Sequence, residues 1–236
     1  MTDHDCGGLA LLDADEFLYK AARSCEVESN FDGEIQLTTD LGEIQRVVRQ
    51  SVEEIQTKLV VDGVHMAVSG KSGLNFRKDV FPRYKGNRKE TRKPLGFYQA
   101  RDWLLEEYVS FKEDDLEADD ILGMRSYMYA YGVSSDKDMK TVPGKWFDPY
   151  HDRTYSIDEE EADYWFMFQT LTGDPTDGYP GAKGIGAVRA ERMLLEWTGW
   201  AGRIPQGSLR DVWDEVKTKF PSENHALAQA RCARIL

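Results

Sequence analysis

Cysteine is scarce in this 236-residue chain: Cys6, Cys25 and Cys232 are far apart, odd in number and outside any Cys-x-x-Cys pattern. Neither a disulfide framework nor a cysteine zinc site is therefore expected, and a reducing cytoplasm is the expected setting. Long apolar runs are missing too. No stretch of about 18 apolar residues exists, so no membrane span is expected. Met1 to Gly8 is polar and acidic and lacks the basic start and apolar core of a signal peptide. Positive charge is in short supply, with a formal net charge of −12. Taken as a sum, that argues against nucleic acid, whose phosphates repel an acidic protein. Internal repeats and low-complexity linkers are absent.

What is present is unevenly distributed. From Lys71 to Lys93 nine residues are basic: Lys71, Arg77, Lys78, Arg83, Lys85, Arg88, Lys89, Arg92 and Lys93. Only Asp79 and Glu90 oppose them. A basic island in an acidic chain suggests a local polyanion contact, although a charge run is also the ordinary composition of a solvated loop. The hydrophobic fraction of 41% can bury a substantial core. The length suits one large α/β domain, or one domain with a small appendage.

Leu9 to Asp13 reads as a buried strand ending in an acid. Ile44, Val47, Val48, Val52, Ile55 and Leu59 recur at helical spacing over Leu41–Leu59. His65 to Ser69 is a second strand, and Leu95 to Phe111 a helix rich in aromatics. Leu116 to Tyr131 reads as a helix opening on acids, Tyr131 to Ser135 as a strand, and Trp146-Phe147 as a strand or loop pair. Ser156 with Glu159 is a capping-box signal for a helix to about Leu171. Gly173 to Gly186 holds five glycines and two prolines and is a turn. Helical segments at 187–197, 209–219 and 224–234 close the chain. Strands alternating with helices predict a mostly parallel sheet, whose ligands gather at the carboxyl ends of its strands.

Acids cluster where such ligands gather. In Leu116-Glu-Ala-Asp-Asp120, Glu117 and Asp120 are three apart and share a helix face, with Asp119 beside them. Acids there also complement a helix dipole, but Glu113, Asp114 and Asp115 extend the cluster beyond that need. Asp136 and Asp138 point to one side of an extended chain, and two such carboxylates repel unless a cation lies between them. Asp174 and Asp177 sit in a turn of the kind that aspartate favours on structural grounds alone. Together with Asp13 they make an oxygen-rich set that selects hard cations, Mg²⁺ or Mn²⁺. Two such ions about 4 Å apart can clamp both oxygens of a phosphodiester displacement. Lys183, Gly184, Ile185, Gly186 and Arg189 form a glycine-rich turn before a helix, suited to a phosphate. It lacks the surrounding βαβ unit of a dinucleotide fingerprint.

In this order the motifs resemble the flap endonuclease/5′-3′ exonuclease family, especially its compact phage-type members. The resemblance runs from about Leu9 to Trp197. It is carried by LLDAD (11–15), FRKDVFPRYKGNR (76–88), LEADDILG (116–123), SSDKD (134–138) and TGDPTDGYPGAKGIGAVRA (172–190). It implies a 5′-nuclease core similar to PIN domains, within 1–170, with a helical arch at about 77–112. A helix–three-turn–helix DNA-binding region and C-terminal helices would occupy 171–236. Asp13, Glu117, Asp119 and Asp120 would hold one metal ion, and Asp136, Asp138, Asp174 and Asp177 a second. Lys85 and Arg88 would contact the scissile phosphate, and Tyr84 would stack on the terminal base. Arg77, Arg83, Lys89, Arg92, Lys93, Lys183, Gly184, Gly186 and Arg189 would bind DNA, with K⁺ at the glycine turn. The implied activity is two-metal hydrolysis of DNA with 5′ ends, flaps or branches, or of RNA–DNA hybrids, by a monomer. The setting would be a host cytoplasm if the chain is phage-encoded. The family usually carries a further aspartate after the second strand. Here Ser69 to Asn75 contains no acid, and Gly70→Asp is the substitution expected to restore one. That departure keeps open a catalytically weakened protein that binds branched DNA. A PIN-type ribonuclease is a third reading, which the long glycine-rich turn disfavours.

Overall fold

The structure, a computed structural model, describes residues 6–87 and 92–236. Its centre is a sheet in the order β5-β4-β1-β6-β7-β8, formed by β1 (Cys6–Asp13), β4 (Gly63–Ala67), β5 (Ser110–Phe111), β6 (Tyr129–Val133), β7 (Gly144–Asp148) and β8 (Arg153–Ile157). All pairings are parallel except β7 with β8, a hairpin at the edge. The apolar Leu-Ala-Leu-Leu of β1 follows from burial on both faces. Ala10 and Leu12 point into one cluster, with α1 (Ala14–Ser24), α2 (Leu41–Leu59) and α4 (Phe97–Glu107). Leu11 points into another, with Trp146 and α5 (Ala118–Arg125). Trp146 lies flat over β6 because Gly132 has no side chain: a Cβ there would meet its ring at 2.4 Å.

α2 illustrates how local sequence sets an element. Ile44, Val48, Val52, Ile55 and Leu59 form its buried stripe. Asp40 caps it, accepting from the amides of Gly42 and Glu43 at 2.7 and 3.3 Å. A second body of helices follows the sheet. α6 (Glu159–Thr172), α7 (Ala187–Thr198) and α8 (Leu209–Lys217) share a core of Tyr164, Met167, Leu171, Ala190, Leu194, Val212 and Val216. α9 (Glu223–Ala233) packs back against α6 and the short α3 (Arg77–Val80). In this packing α6 sides with the C-terminal helices, so a division at 170 would run through one hydrophobic cluster.

Several expected elements are corrected. The helix expected over 95–111 stops at Glu107, and Ser110-Phe111 joins the sheet as β5. α4 itself is buried against α1 and α2 through Phe97, Ala100 and Leu104. An arch therefore cannot extend to residue 112, because the end of that span is core. The helix expected over 116–131 ends at Arg125, and β6 starts at Tyr129. Ser156 pairs within β8, and Asp158 caps α6 instead, accepting from the Glu161 amide at 3.0 Å. Not anticipated were α1, the short α3 and a hairpin of β2 (Val27–Phe31) with β3 (Glu34–Thr38). Among the described residues, no helix is long and apolar enough to cross a membrane.

Candidate active site

Adjacent strands deliver the acids to one edge of the sheet. β1 ends on Asp13, which is only 7% exposed and caps α1 by accepting from the Glu16 amide at 3.2 Å. After β6 the chain turns at Ser134, whose hydroxyl accepts from the Asp136 amide at 3.1 Å and lies 3.4 Å from the Asp13 carboxylate. Asp136 caps a short 3-10 turn over 137–141, accepting from the Asp138 amide at 2.8 Å. After β4, the Ser69 hydroxyl accepts from the Ala118 amide at 2.9 Å, fixing the start of α5 and with it Glu117 and Asp119. Asp174 and Asp177 lie in the turn after α6. Asp174 accepts from the Thr176 amide at 2.6 Å, and the Asp177 carbonyl accepts from the Lys85 amide at 2.7 Å. The basic segment and the acidic turn are thus joined through backbone.

The electrostatics separate these acids into two kinds. Burial pushes the Asp13 carboxyl up to about 8, aided by the negative charges of Asp15, Glu16 and Asp136. Burial also raises Asp119 well above the usual range, with Asp13 and Asp136 adding to it. Asp138 is pushed up to about 7 by burial and then by Asp136. These groups crowd like charges together without enough positive partners. Others are neutralised internally. Burial pushes Glu117 upward, but Lys85, Arg77 and Tyr84 outweigh it and hold it below the ordinary value. Lys137, 2.7 Å from Asp174, together with the amides of Thr176 and Asp177, likewise overcomes the effect of burial on Asp174.

Lys85 is the central cation. Its backbone is left-handed at φ 51°, an uncommon state for a residue with a side chain. Its ammonium pairs with Glu117 and lies 3.8 Å from Asp177. Backbone strain of this kind is often kept where a side chain must be aimed. Tyr84 lies beside it but is 3% exposed, and its hydroxyl bonds both Glu117 and Asp177 at 2.8 Å. The stacking of Tyr84 on a terminal base is therefore corrected: the ring is core, and its hydroxyl positions two carboxylates.

Two more assignments change. Arg77 is 1% exposed and cannot reach DNA. Its guanidinium grips Asp120 with two bonds of 2.7 and 2.6 Å and donates to the carbonyls of Cys232 and Arg234. Asp120 is in turn fully buried and also accepts from the amides of Glu117 and Leu236. With both its oxygens engaged, Asp120 is the partner of Arg77 in this structure, where a free metal ligand was expected. Arg83, Lys183 and Arg189 are exposed. Arg92 pairs with Glu26 at 2.6 Å, and the ammonium of Lys93 lies 4.4 Å from the Phe97 ring centroid. Gly184 has φ +75° with open space around it, and Gly186 is likewise open. Arg88 and Lys89 lie outside the described residues.

Sequence reasoning missed four supporting groups. Glu16 accepts from the Ser135 amide at 2.7 Å, tying α1 to the Asp136 loop. Ser69 anchors α5, Lys137 neutralises Asp174, and the Gln169 amide donates to Asp138. Lys137 was legible within SSDKD, whereas Gln169 lies in an aromatic helix with no motif to mark it. The acid-free segment also resolves differently from expectation. A Cβ at Gly70 would meet the carbonyl oxygens of Glu113 and Asp114 at 2.0 and 2.5 Å. Gly70→Asp is thus expected to destabilise the fold by more than about 3 kcal/mol. Ser69→Asp can keep an acceptor for the Ala118 amide and should stay folded. Melting temperatures of the two variants check this, and a stable Gly70→Asp would contradict the close packing.

The chemistry of the donor set fits divalent cations: hard carboxylate oxygens, several of them destabilised by their neighbours. Among the described residues no three of them close around one point as a ready-made cage.

An acid-lined edge of a parallel sheet, a lysine aimed into it and a glycine turn before a helix fit a nuclease of the metal-dependent, phosphodiester-cleaving class. Comparison with known proteins places it within that class. No family model matches the chain. The exonuclease of Escherichia phage T7 is 30% identical over 98% of this chain and 89% of its own length. A flap endonuclease of Colwellia psychrerythraea is 29% identical over 61% of this chain and 56% of that protein. Among solved structures, bacteriophage T5 D15 flap endonuclease, in a complex with DNA and metal ions, shares the fold. Its TM-score is 0.60 at 18% identity, over 95% of this chain and 85% of that one. The chain belongs to the flap endonuclease/5′-3′ exonuclease family, and it is a nuclease.

Proposed function

We propose that this nuclease cuts DNA at 5′ ends, flaps or branch points, as a monomer, with two Mg²⁺ or Mn²⁺ ions, and that RNA–DNA hybrids are a second substrate. The observation that carries the reading is the set of under-neutralised carboxylates at one sheet edge, with Lys85 aimed among them. Asp13, Glu117 and Asp119 would hold one ion. Asp136, Asp138, Asp174 and Asp177 would hold the other. Bound divalent ions supply Lewis acidity and offset charge on the scissile phosphate. Tyr84 fixes Glu117 and Asp177, and Gln169 fixes Asp138. Lys85, released from Glu117, is within its own reach of a phosphate at this edge and offsets its developing charge. Arg88 follows in the same segment and would assist. Lys183 and Arg189, with Gly184 and Gly186 allowing close approach, hold duplex backbone, with K⁺ at that turn.

The direct test is a 5′-labelled flap and a recessed duplex incubated with Mg²⁺ or with EDTA. Release of short labelled products only with Mg²⁺ is expected. Tight binding without cleavage at any Mg²⁺ or Mn²⁺ concentration would instead establish a DNA-binding protein. Lys85→Ala should lower turnover about a hundredfold or more, with affinity little changed. Lys183→Ala should weaken duplex binding and reduce the salt dependence by roughly one unit of slope. Equal losses of affinity with unchanged turnover would contradict this division of labour.

A further inference from the structure

The turn joining β7 to β8 carries an exposed aromatic pair that the chemistry above leaves unused. Tyr150 is 73% exposed, and His151 stands beside it with ring centroids 4.8 Å apart in an edge-to-face arrangement. The turn is not a loose one. Buried Asp148 accepts from the amides of Tyr150 and His151 at 3.0 and 3.1 Å and from the His151 ring at 2.6 Å. Burial pushes the Asp148 carboxyl up, but these bonds to His151 overcome it and leave it below the usual range.

The turn is also fastened to the catalytic edge. The Tyr150 amide donates to the Ser135 hydroxyl at 3.1 Å, and Ser135 directly precedes Asp136. β7 runs parallel to β6, so its carboxyl end lies beside the end of β6, where Asp136 and Asp138 begin. The Lys20 ammonium sits 5.8 Å from the Tyr150 ring centroid. Tyr150 is the most exposed of the large aromatics among the described residues, ahead of Tyr127, Trp200, Tyr98 and Tyr19. Tyr127 precedes β6, at the opposite edge of the sheet, and Trp200 follows α7.

We infer that Tyr150 and His151 form a stacking platform for an unpaired nucleobase of the substrate, within a few nucleotides of the scissile phosphate. The inference rests on the nuclease reading above. Three features point to a base rather than a phosphate or a protein. The acids near the turn are paired with cations, Glu16 with Lys20, Asp152 with Lys58 and Asp148 with Arg153, so no excess positive charge is left to favour a phosphate there. A neutral aromatic face accepts a base of any sequence. Bases inside duplex are already stacked on each other, so the base taken up is one that the substrate leaves unpaired. Rigidity matters as well, since a platform fixed by Asp148 and Ser135 loses little freedom on binding.

The test uses the intact protein and DNA flaps carrying an abasic site at successive positions about the cut. Binding is measured in EDTA and turnover in Mg²⁺. Tyr150→Ala is expected to raise Kd and KM about tenfold on fully based flaps, with kcat little changed. At one abasic position the wild type should show the same loss, and Tyr150→Ala should add nothing to it. Tyr150→Phe should behave as wild type, because a phenyl face stacks equally well. His151→Ala should produce a smaller loss in the same direction. An unchanged melting temperature for Tyr150→Ala, expected from its exposure, excludes unfolding as the cause. Tyr150→Ala matching wild type on every flap overturns the platform alone. Wild type that neither binds nor cleaves any flap overturns the nuclease reading and the platform with it.

Discussion

Asp119→Asn and Asp13→Asn should each lower turnover by about a thousandfold or more, and each should stabilise the metal-free protein near pH 8. The first effect follows from charge. A divalent ion contributes several kcal/mol to a phosphoryl transition state, and each 1.36 kcal/mol is tenfold in rate. The second follows from proton linkage. The folded Asp13 carboxyl is raised from the ordinary 3.8 to about 8, so the folded protein holds that proton more tightly than the unfolded chain. Its contribution to stability is fully present below about pH 4 and is lost as pH rises through about 8. Asp138, raised to about 7, adds in the same sense. The melting temperature of the wild type in EDTA should therefore fall between about pH 5 and pH 8, and Asp13→Asn should flatten that fall. Mg²⁺ should restore the wild type at about pH 8 more than either variant, since only an ion that binds the folded state stabilises it. Calorimetry across that range, with and without Mg²⁺, checks the whole set. Near-wild-type cleavage by Asp119→Asn, or a steeper fall in Asp13→Asn, would remove these residues from the metal site.

The contrast among neighbouring acids marks what sequence could and could not say. Asp13, Asp119, Asp136 and Asp138 were legible because each follows or opens an element whose own pattern is plain. The apolar run of β1 and the helical stripe of α2 read directly as elements, and alternation of strands with helices predicted the parallel sheet. Asp120 read the same as Asp119, since adjacent carboxylates in one motif carry no sign of which will be paired. What separates them is Arg77, 43 positions earlier, and the carbonyls of Cys232 and Arg234, more than a hundred positions later. Arg77 was misjudged for the same reason. In a basic island every cation reads as solvent-facing, and burial is decided by tertiary neighbours. The limits of α4 and α5 were overrun because helical periodicity continues past the point where a strand pairing takes over. Gly70 shows the reverse case: the missing acid was visible, but the backbone of Glu113 and Asp114 that excludes it was not.

Arg77→Met is expected to destabilise the protein by about 3–5 kcal/mol, because it leaves the Asp120 carboxylate buried without its partner. The cost should spread beyond the pair. Arg77 also lies 3.6 Å from Glu117 and holds the carbonyls that end α9. Hydrogen exchange in residues 230–236 should accelerate together with loss of cleavage. Arg77→Met/Asp120→Leu removes both charges at once, and such apolar replacements of a buried pair are often neutral or stabilising. The double variant should thus recover most of the lost melting temperature. It also separates the two roles open to Asp120. If Asp120 serves Arg77 alone, Mg²⁺ affinity measured by calorimetry should stay within about threefold of wild type, less than 1 kcal/mol. Asp119→Asn, measured alongside, should lose at least about tenfold. A double variant that folds well but loses Mg²⁺ affinity as Asp119→Asn does would return Asp120 to the metal site, with Arg77 as the counter-ion that holds its place until the cation arrives.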